Sequence, residues 1–122
     1  MSRLHTLLLR VVESDARATQ ADDGSWIVPC LHCQSKLAIA PGGAPLGEAS
    51  LEHIVPRSWF GRGPARVLVA EVGDVEALAN LAVACARCNR QKGKTHDADG
   101  PSNPRAREVI AALLARRAAR QK

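Results

Sequence analysis

The fold is decided by the stretch Leu81-Ala82-Val83-Ala84-Cys85-Ala86-Arg87-Cys88-Asn89-Arg90-Gln91-Lys92-Gly93-Lys94. It begins with a short apolar run, passes through a Cys-x-x-Cys pair and places an amide, Asn89, directly after the second sulfur. Basic residues follow. Two earlier segments belong with it: a first cysteine pair in Cys30-Leu31-His32-Cys33, and a carboxylate beside an imidazole in Leu51-Glu52-His53-Ile54-Val55-Pro56-Arg57.

The two cysteine pairs, Cys30 with Cys33 and Cys85 with Cys88, have the spacing of a zinc site. Paired Cys-x-x-Cys turns without a secretory context are typical of zinc rather than of disulfides. Four thiolates form a closed tetrahedral set, which indicates a structural ion, because a catalytic zinc keeps an open position. The ion is predicted to tie distant parts of one domain together, since 51 residues separate the pairs. His32, inside the first turn, is expected to face solvent.

The length and charge of the chain limit the classes of protein to which it can belong. Its 122 residues correspond to one domain, 1–122, with a modest core poor in aromatic residues. The net charge is +5, and residues 87–122 carry ten Lys and Arg against three Asp and Glu. This excess favours nucleic acid as a partner, although solubilising charge on a helical tail would look the same. No apolar run approaches the ~18 residues of a membrane span, and no secretory signal is seen. We therefore expect a cytoplasmic protein.

Hydrophobic periodicity and turn residues predict an α+β chain with short strands. We expect a helix at 3–18, strands at 26–28 and 36–39 around the first cysteine pair, and a strand at 50–55. Residues 67–69 are a candidate strand, and Asp74 is a candidate cap for helical turns through residue 78. A strand at 81–84 should lead into a helix from Ala86 to near Gly93. Asn103 should cap, and Pro104 begin, a last helix at 104–121.

The polar residues that could take part in catalysis or metal binding could also have purely structural roles. Glu52 and His53 are neighbours on a strand, so their side chains point to opposite faces unless the strand ends or bends there. Pro56 favours such a bend, and the alternative is an exposed carboxylate beside a half-buried histidine. The amide oxygen of Asn89 is a hard ligand that suits magnesium or manganese. An Asn near a helix start is also a common cap.

In combination these elements resemble the zinc-stapled branch of the HNH endonuclease family. The resemblance rests on Cys-x-x-Cys, then Glu-His-Ile-Val-Pro-Arg, then Asn80-Leu81, then Cys-x-x-Cys-Asn-x-x-Lys-Gly, in this order, and covers about residues 26–95. It implies a small ββα-metal (His-Me finger) core, in which two strands and a helix surround one catalytic divalent cation, with a four-cysteine zinc knuckle. The N- and C-terminal helices, 3–18 and 104–121, flank that core.

The resemblance also implies roles for four residues. His53 matches the first signature histidine, the general base, and an unperturbed histidine titrates near ~6.5, close to working pH. Asn80 matches the middle asparagine, which holds the connecting loop and helps orient the histidine. Asn89 matches the third signature position, a metal ligand; it is Asn where many members have His, so this is an H-N-N variant. Glu52 matches a ligand position that is often Asp, and would reach the metal directly or through water.

Basic residues around the predicted helix are the expected substrate contacts. Phosphate neutralisation supplies affinity that does not depend on base sequence, and the candidates for it are Arg57, Arg87, Arg90, Lys92 and Lys94. His96 lies past Gly93 in a predicted loop and is not expected to be a ligand. The basic tail should either extend the DNA footprint or solubilise a helix end, through Arg116, Arg117 and Arg120.

The sequence therefore predicts a metal-dependent DNA endonuclease in which His53 activates water to leave a 5′ phosphate and a 3′ hydroxyl. Its cofactors would be one structural Zn2+ and one catalytic Mg2+ or Mn2+, and its partner double-stranded DNA. Each site cuts one strand, so a homodimer or a host assembly such as a phage packaging complex would cut both. Packaging, restriction, homing and mobile elements are all compatible with the motif. The alternative is a non-catalytic zinc module that binds nucleic acid or protein.

Overall fold

A computed structural model describes residues 2–122 as an α+β fold. Its helices are α1 (Arg3–Ser14), α2 (Arg66–Val72), α3 (Ala86–Lys92) and α4 (Pro104–Arg120). Its strands are β1 (Thr19–Gln20), β2 (Trp26–Pro29), β3 (Lys36–Ile39), β4 (Pro45–Leu46), β5 (Ala49–His53) and β6 (Leu81–Cys85). Short 3-10 helices occupy Arg57–Trp59, Gly63–Ala65 and Leu78–Asn80, and a π-helical turn occupies Gly93–Asp97. None of the helices in residues 2–122 has the length and apolarity that crossing a bilayer requires.

The strands form two antiparallel sheets, one with the order β1-β2-β3-β4 and one of β5 and β6. The predicted strands at 26–28, 36–39 and 81–84 are confirmed with small changes at their ends. β5 runs from Ala49 to His53 rather than from 50 to 55: Ile54 still donates its N–H to Asn80 O at 2.8 Å, but Asn80 already belongs to the 3-10 turn Leu78–Asn80. His53 is therefore the last residue of its strand, and β6 leads directly into α3.

β6 lies between the two terminal helices and separates two apolar clusters. Leu81 and Val83 pack in the cluster that contains α1, whereas Ala82 packs in the one that contains α4. Residues that face each other across an antiparallel pair lie on the same side of the sheet. Glu52 pairs with Ala82 and His53 with Leu81, so Glu52 faces the α4 side and His53 the α1 side.

The first helix is shorter than predicted. The stripe at 3–18 continues only to Ser14, because Asp15 leaves helical geometry with φ −96° and ψ 119°. The backbone of Asp15 forms a bridge with Gln121, and Ala16 donates its N–H to Arg120 O at 2.6 Å. The end of α1 thus pairs through its backbone with the end of α4, and the paired residues lie more than a hundred positions apart in sequence.

The predicted elements between β5 and β6 are also corrected. Residues 67–69 belong to helix α2 rather than to a strand, since Leu68 and Val72 lie four residues apart and are buried together. Asp74 does not cap a helix: α2 ends at Gly73, which has φ +88°, and only a 3-10 turn at Leu78–Asn80 follows. After α3 the chain continues in the π-helical turn, so His96 lies on a helical turn and not in a loop.

Candidate functional site

The four cysteines converge on one point. The Sγ atoms of Cys30, Cys33, Cys85 and Cys88 all lie within 4.8 Å of one another. A tetrahedral zinc with bonds of about 2.3 Å requires sulfurs about 3.8 Å apart, and Cys33 Sγ lies 3.9 Å from Cys85 Sγ. Among residues 2–122, these are the only His, Cys, Asp or Glu side chains that form a group of three or more around one point. The donor set and its spacing fit a structural zinc.

The surroundings of the four thiols differ. Burial raises the pKa of the Cys30 thiol and raises the pKa of Cys88 to about 12. A hydrogen bond from the Ser35 side chain lowers the pKa of Cys33 to about 6. Cys30 Sγ accepts the N–H groups of His32 at 3.4 Å and of Cys85 at 3.3 Å. A metal ion bound by these sulfurs would displace the protons of the thiols that carry them.

Glu52 is the middle of a polar group that we call the Glu52 cluster, formed by the buried Glu52 and Lys92 and the partly exposed His32 and Asp97. Glu52 is 0% exposed, and its two carboxylate oxygens lie 2.8 and 2.9 Å from His32 Nε2. His32 therefore does not face solvent as expected: it turns inward because a buried carboxylate needs a hydrogen-bond donor.

Lys92 completes the cluster from α3. Its ammonium lies 3.7 Å from Glu52 Oε2 and donates to Asp97 Oδ2 at 3.0 Å and to His53 O at 3.3 Å. Only 3% of Lys92 is exposed, so its ammonium is not accessible as the phosphate contact that the sequence predicts. Burial raises the pKa of the Asp97 carboxyl, and the nearby Lys92 opposes that rise.

His53 has different neighbours, on the α1 side of β5. Its Nε2 is buried without a hydrogen-bond partner among residues 2–122, and lies 3.7 Å from Glu76 Oε2. Arg3 donates a hydrogen bond to Glu76, and Arg57 lies 3.9 Å away from the same carboxylate. The Arg3 hydrogen bond lowers the pKa of the Glu76 carboxyl. The sequence does not single out Glu76, because it lies in the irregular segment before β6 and belongs to no motif.

Asn80 holds the chain that follows His53. Its Oδ1 accepts the Val55 N–H at 2.7 Å, and its Nδ2 donates to Val55 O at 3.1 Å and to Val75 O at 3.0 Å. Asn80 is fully buried, so these bonds compensate a polar group that has lost contact with water. The side chain thus joins the segment after β5 to the segment before β6.

Asn89 reaches β5 from the first turns of α3. Its Nδ2 donates to Leu51 O at 3.1 Å and to Ser50 Oγ at 3.2 Å. Its oxygen accepts no hydrogen bond from any other part of residues 2–122, so a hard ligand remains open beside the strand. Asn89 and Lys92 lie three positions apart and reach the same strand.

A scan against models of known protein families, a search of curated proteins and a search of solved structures each find no match to this chain. A proposal about its function therefore rests on the geometry of its own residues.

The remaining basic residues divide into exposed and structural ones. The exposed set among the predicted phosphate contacts is Arg57, Arg87, Arg90 and Lys94. Two of the three arginines predicted to lie on the basic tail surface are structural instead, whereas the third, Arg116, is exposed. Arg117 and Arg120 are buried: Arg117 donates to Leu81 O at 2.7 Å, and Arg120 pairs with Asp15 at 2.7 Å. Arg116 donates to Leu31 O at 3.0 Å and so holds the turn that carries Cys30 and Cys33.

Proposed function

We propose that this chain is a metal-dependent DNA endonuclease of the HNH type, with a ββα-metal core made of β5, β6 and α3. The observation that carries the proposal is a juxtaposition at the end of β5. His53 is the last residue of that strand. Asn80 forms a hydrogen bond with the chain directly after it, and Asn89 of α3 donates a hydrogen bond to the strand. These three positions, distant in sequence, are those that the motif names.

His53 is the general base of the proposed reaction. Nε2 is buried without a hydrogen-bond partner and lies 3.7 Å from Glu76 Oε2, so we take Nδ1 as the ring nitrogen that accepts a proton. His53 Nδ1 takes that proton from water, whose oxygen attacks the phosphorus. The bond to the 3′ oxygen breaks, and this oxygen takes a proton from solvent. The products carry a 5′ phosphate and a 3′ hydroxyl.

The proposed divalent cation would be held by two donors beside β5. Glu52 offers a buried carboxylate and Asn89 an amide oxygen that no described residue engages. Oxygen ligands suit Mg2+ or Mn2+. When bound, such an ion supplies positive charge that stabilises the phosphorane and the departing oxygen. An ion held by two protein groups binds weakly, unlike zinc on four thiolates.

Double-stranded DNA is the proposed substrate. Arg57, Arg87, Arg90 and Lys94 are exposed and neutralise phosphates, with an affinity that falls as salt rises. Lys92 is left out because its ammonium is committed to the Glu52 cluster. One site per chain nicks one strand, so cutting both strands requires a homodimer or a host assembly. The cytoplasm is the proposed location, because thiols stay reduced there.

A plasmid nicking assay tests the proposal. Zinc-loaded protein is incubated with supercoiled plasmid and Mg2+ or Mn2+, with and without chelator, beside His53→Ala. The matched control is His5→Ala, a half-buried histidine on α1. We expect metal-dependent nicking by the wild type and by His5→Ala, and a loss of at least about a hundredfold in His53→Ala, the usual scale of general-base catalysis. Nicking that survives His53→Ala unchanged would contradict the assignment.

A non-catalytic zinc module is the second candidate, and one observation favours it. Glu52 is fully buried among His32 and Lys92, an arrangement that a purely structural role would also explain. Protein that holds zinc stoichiometrically and never nicks plasmid with either metal would decide for this candidate.

A further inference from the structure

The outer side of α3 carries a line of exposed basic side chains. Arg87, Arg90 and Lys94 lie three and four positions apart, so they share one face of the helical segment that continues from α3 into the π-helical turn. Asn89 and Lys92 lie between them in sequence and bond to β5 instead. The helix therefore packs through one face and presents the basic line to solvent.

A groove of about 520 Å³ lies beside this line. Arg87 and Arg90 of α3 line it together with Lys36, the first residue of β3. All three side chains are exposed, and within residues 2–122 none of them takes part in an ion pair or a side-chain hydrogen bond. The single carboxylate among the lining residues is that of Glu48. Three positive charges therefore face one negative charge around this groove.

The two cysteine pairs bring the walls of the groove together. Lys36 follows Cys33 by three positions, and Arg87 lies between Cys85 and Cys88. Cys33 Sγ lies 3.9 Å from Cys85 Sγ, so the segments that carry Lys36 and Arg87 meet at the cysteine cluster. The sequence does not single out Lys36 as a partner of α3, because 51 positions separate it from Arg87.

We propose that this groove holds the phosphate backbone of double-stranded DNA, with Lys36 as a phosphate contact beside Arg87 and Arg90. The choice of DNA as the polyanion rests on the proposed function. Cations without a carboxylate partner attract phosphates and release their counterions, whatever the base sequence. The groove contains neither His53 nor Asn89, so the phosphates held there are not the one that is cleaved. Glu48 opposes the attraction and limits the affinity.

Binding of a fluorescent DNA duplex to the zinc-loaded protein tests the groove separately from cleavage. Anisotropy is measured without added Mg2+ or Mn2+ at several salt concentrations. Lys36→Gln should weaken binding about five- to tenfold at ~0.1 M salt and reduce the slope of log affinity against log salt by about 0.9, the contribution of one phosphate contact. The control is Arg66→Gln on α2, which removes an exposed arginine outside the groove and should leave affinity and slope nearly unchanged.

A second substitution is expected to strengthen binding, which a folding defect would not do. Glu48→Gln removes the only carboxylate from the lining of the groove and should raise the affinity about twofold or more. Glu13→Gln makes the same change in net charge at an exposed position on α1 and should leave the affinity nearly unchanged. Melting temperature and zinc content are measured on all four variants to compare their folding with that of the wild type.

Three results would each overturn the inference. The first is equal affinity and equal salt slope in wild type and Lys36→Gln. The second is an equal effect of Glu48→Gln and Glu13→Gln on the affinity. The third is a wild type that does not bind the duplex even at low salt.

Nicking measured on the same samples distinguishes this inference from the proposed function. A wild type that binds the duplex through Lys36 but never nicks plasmid with Mg2+ or Mn2+ supports the groove and contradicts the nuclease. A wild type that nicks plasmid while Lys36→Gln binds the duplex normally supports the nuclease and contradicts the groove.

Discussion

At the scale of single residues, Glu52 and His53 are neighbours in sequence but have different surroundings. Strand alternation sends Glu52 toward α3 and α4, where His32 and Lys92 surround it, and sends His53 toward Glu76 and α1. Because His53 is the last residue of β5, the side chains of Glu52 and His53 lie on opposite faces of the same strand end. The alternation follows from the sequence, whereas the identities of the neighbours depend on the fold.

Asn80 shows how a motif residue acquires a physical role. The resemblance implies that it holds the loop after His53, and three hydrogen bonds to backbone groups join its side chain to Val55 and Val75. Its sequence neighbours do not indicate these partners, because Val55 lies 25 positions away. A buried amide is retained only where such partners exist.

Replacing Glu76 tests how the stability of the fold depends on pH, and the direction of the expected change is defined. Arg3 lowers the pKa of its carboxyl below the ordinary value of 4.5. A carboxyl whose folded pKa is lowered stabilises the fold above its unfolded pKa, and this contribution is lost as pH falls through the folded pKa. We therefore expect wild type to melt above Glu76→Gln near neutral pH, with the difference vanishing in acid. Thermal melts across that pH range measure it.

Glu108→Gln is the control for this prediction. Glu108 also lies near an arginine, Arg105 at 3.8 Å, but both side chains are mostly exposed. Its removal should leave the melting temperature nearly unchanged at every pH, since exposed pairs contribute little. A difference between wild type and Glu76→Gln that persists unchanged in acid would contradict the role given to the carboxylate.

At the scale of elements, α4 is the clearest departure from expectation. Its basic end is predicted to be solvent-facing, yet Arg117 and Arg120 are buried. Arg120 joins Asp15 after α1 and Pro29 O at the end of β2, and Arg117 joins Leu81 O in β6. Burial lowers the pKa of the Arg117 guanidinium. The helix therefore acts as a clamp across three elements.

Arg120→Ala tests this clamp. Removing one partner of a buried ion pair leaves Asp15 uncompensated, which costs about 3–5 kcal/mol of unfolding free energy. Urea denaturation of the zinc-loaded protein measures the loss. Arg105→Ala on the same helix is the control: Arg105 is exposed, so its removal should cost less than about 1 kcal/mol. Equal effects of the two substitutions would show that the buried pair does not hold α4.

Local signals account for several element boundaries. Asn103 caps α4 by accepting the N–H groups of Arg105 and Ala106, as Asn before Pro predicts. The predicted strand at 67–69 is wrong, because an apolar triplet does not distinguish a strand from a helix face. Leu68 and Val72 are buried together only because α2 packs in the cluster that contains α4.

At the scale of the whole molecule, the four cysteines join the two sheets. Cys30 and Cys33 follow β2, whereas Cys85 ends β6 and Cys88 lies in α3. A metal ion held at this point would therefore link the four-stranded sheet to the strand pair that carries His53. The core is small, so a metal ion bound by the four cysteines would contribute a large part of its stability.

Cys85→Ser is predicted to unfold the domain. It removes one of four zinc ligands, and the lost metal affinity is comparable to the total stability of a small domain, about 5–15 kcal/mol. Circular dichroism during heating should show loss of the cooperative melt in the variant and in wild type treated with a strong zinc chelator. Readdition of zinc to the chelated wild type should restore it. An unchanged melt in either sample would contradict a structural role for the metal.

The sequence by itself determined the features that depend on local spacing: two cysteine pairs for one metal, the strands around them, the entry into α3 and the cap of α4. Tertiary structure alone decided which polar side chains are buried. His32 and Lys92 turn inward to Glu52, and Arg117 and Arg120 turn inward to β6 and Asp15. The physical reason is that a charged group is buried only where a distant element supplies its partner. Such partners are set by packing, not by sequence neighbours.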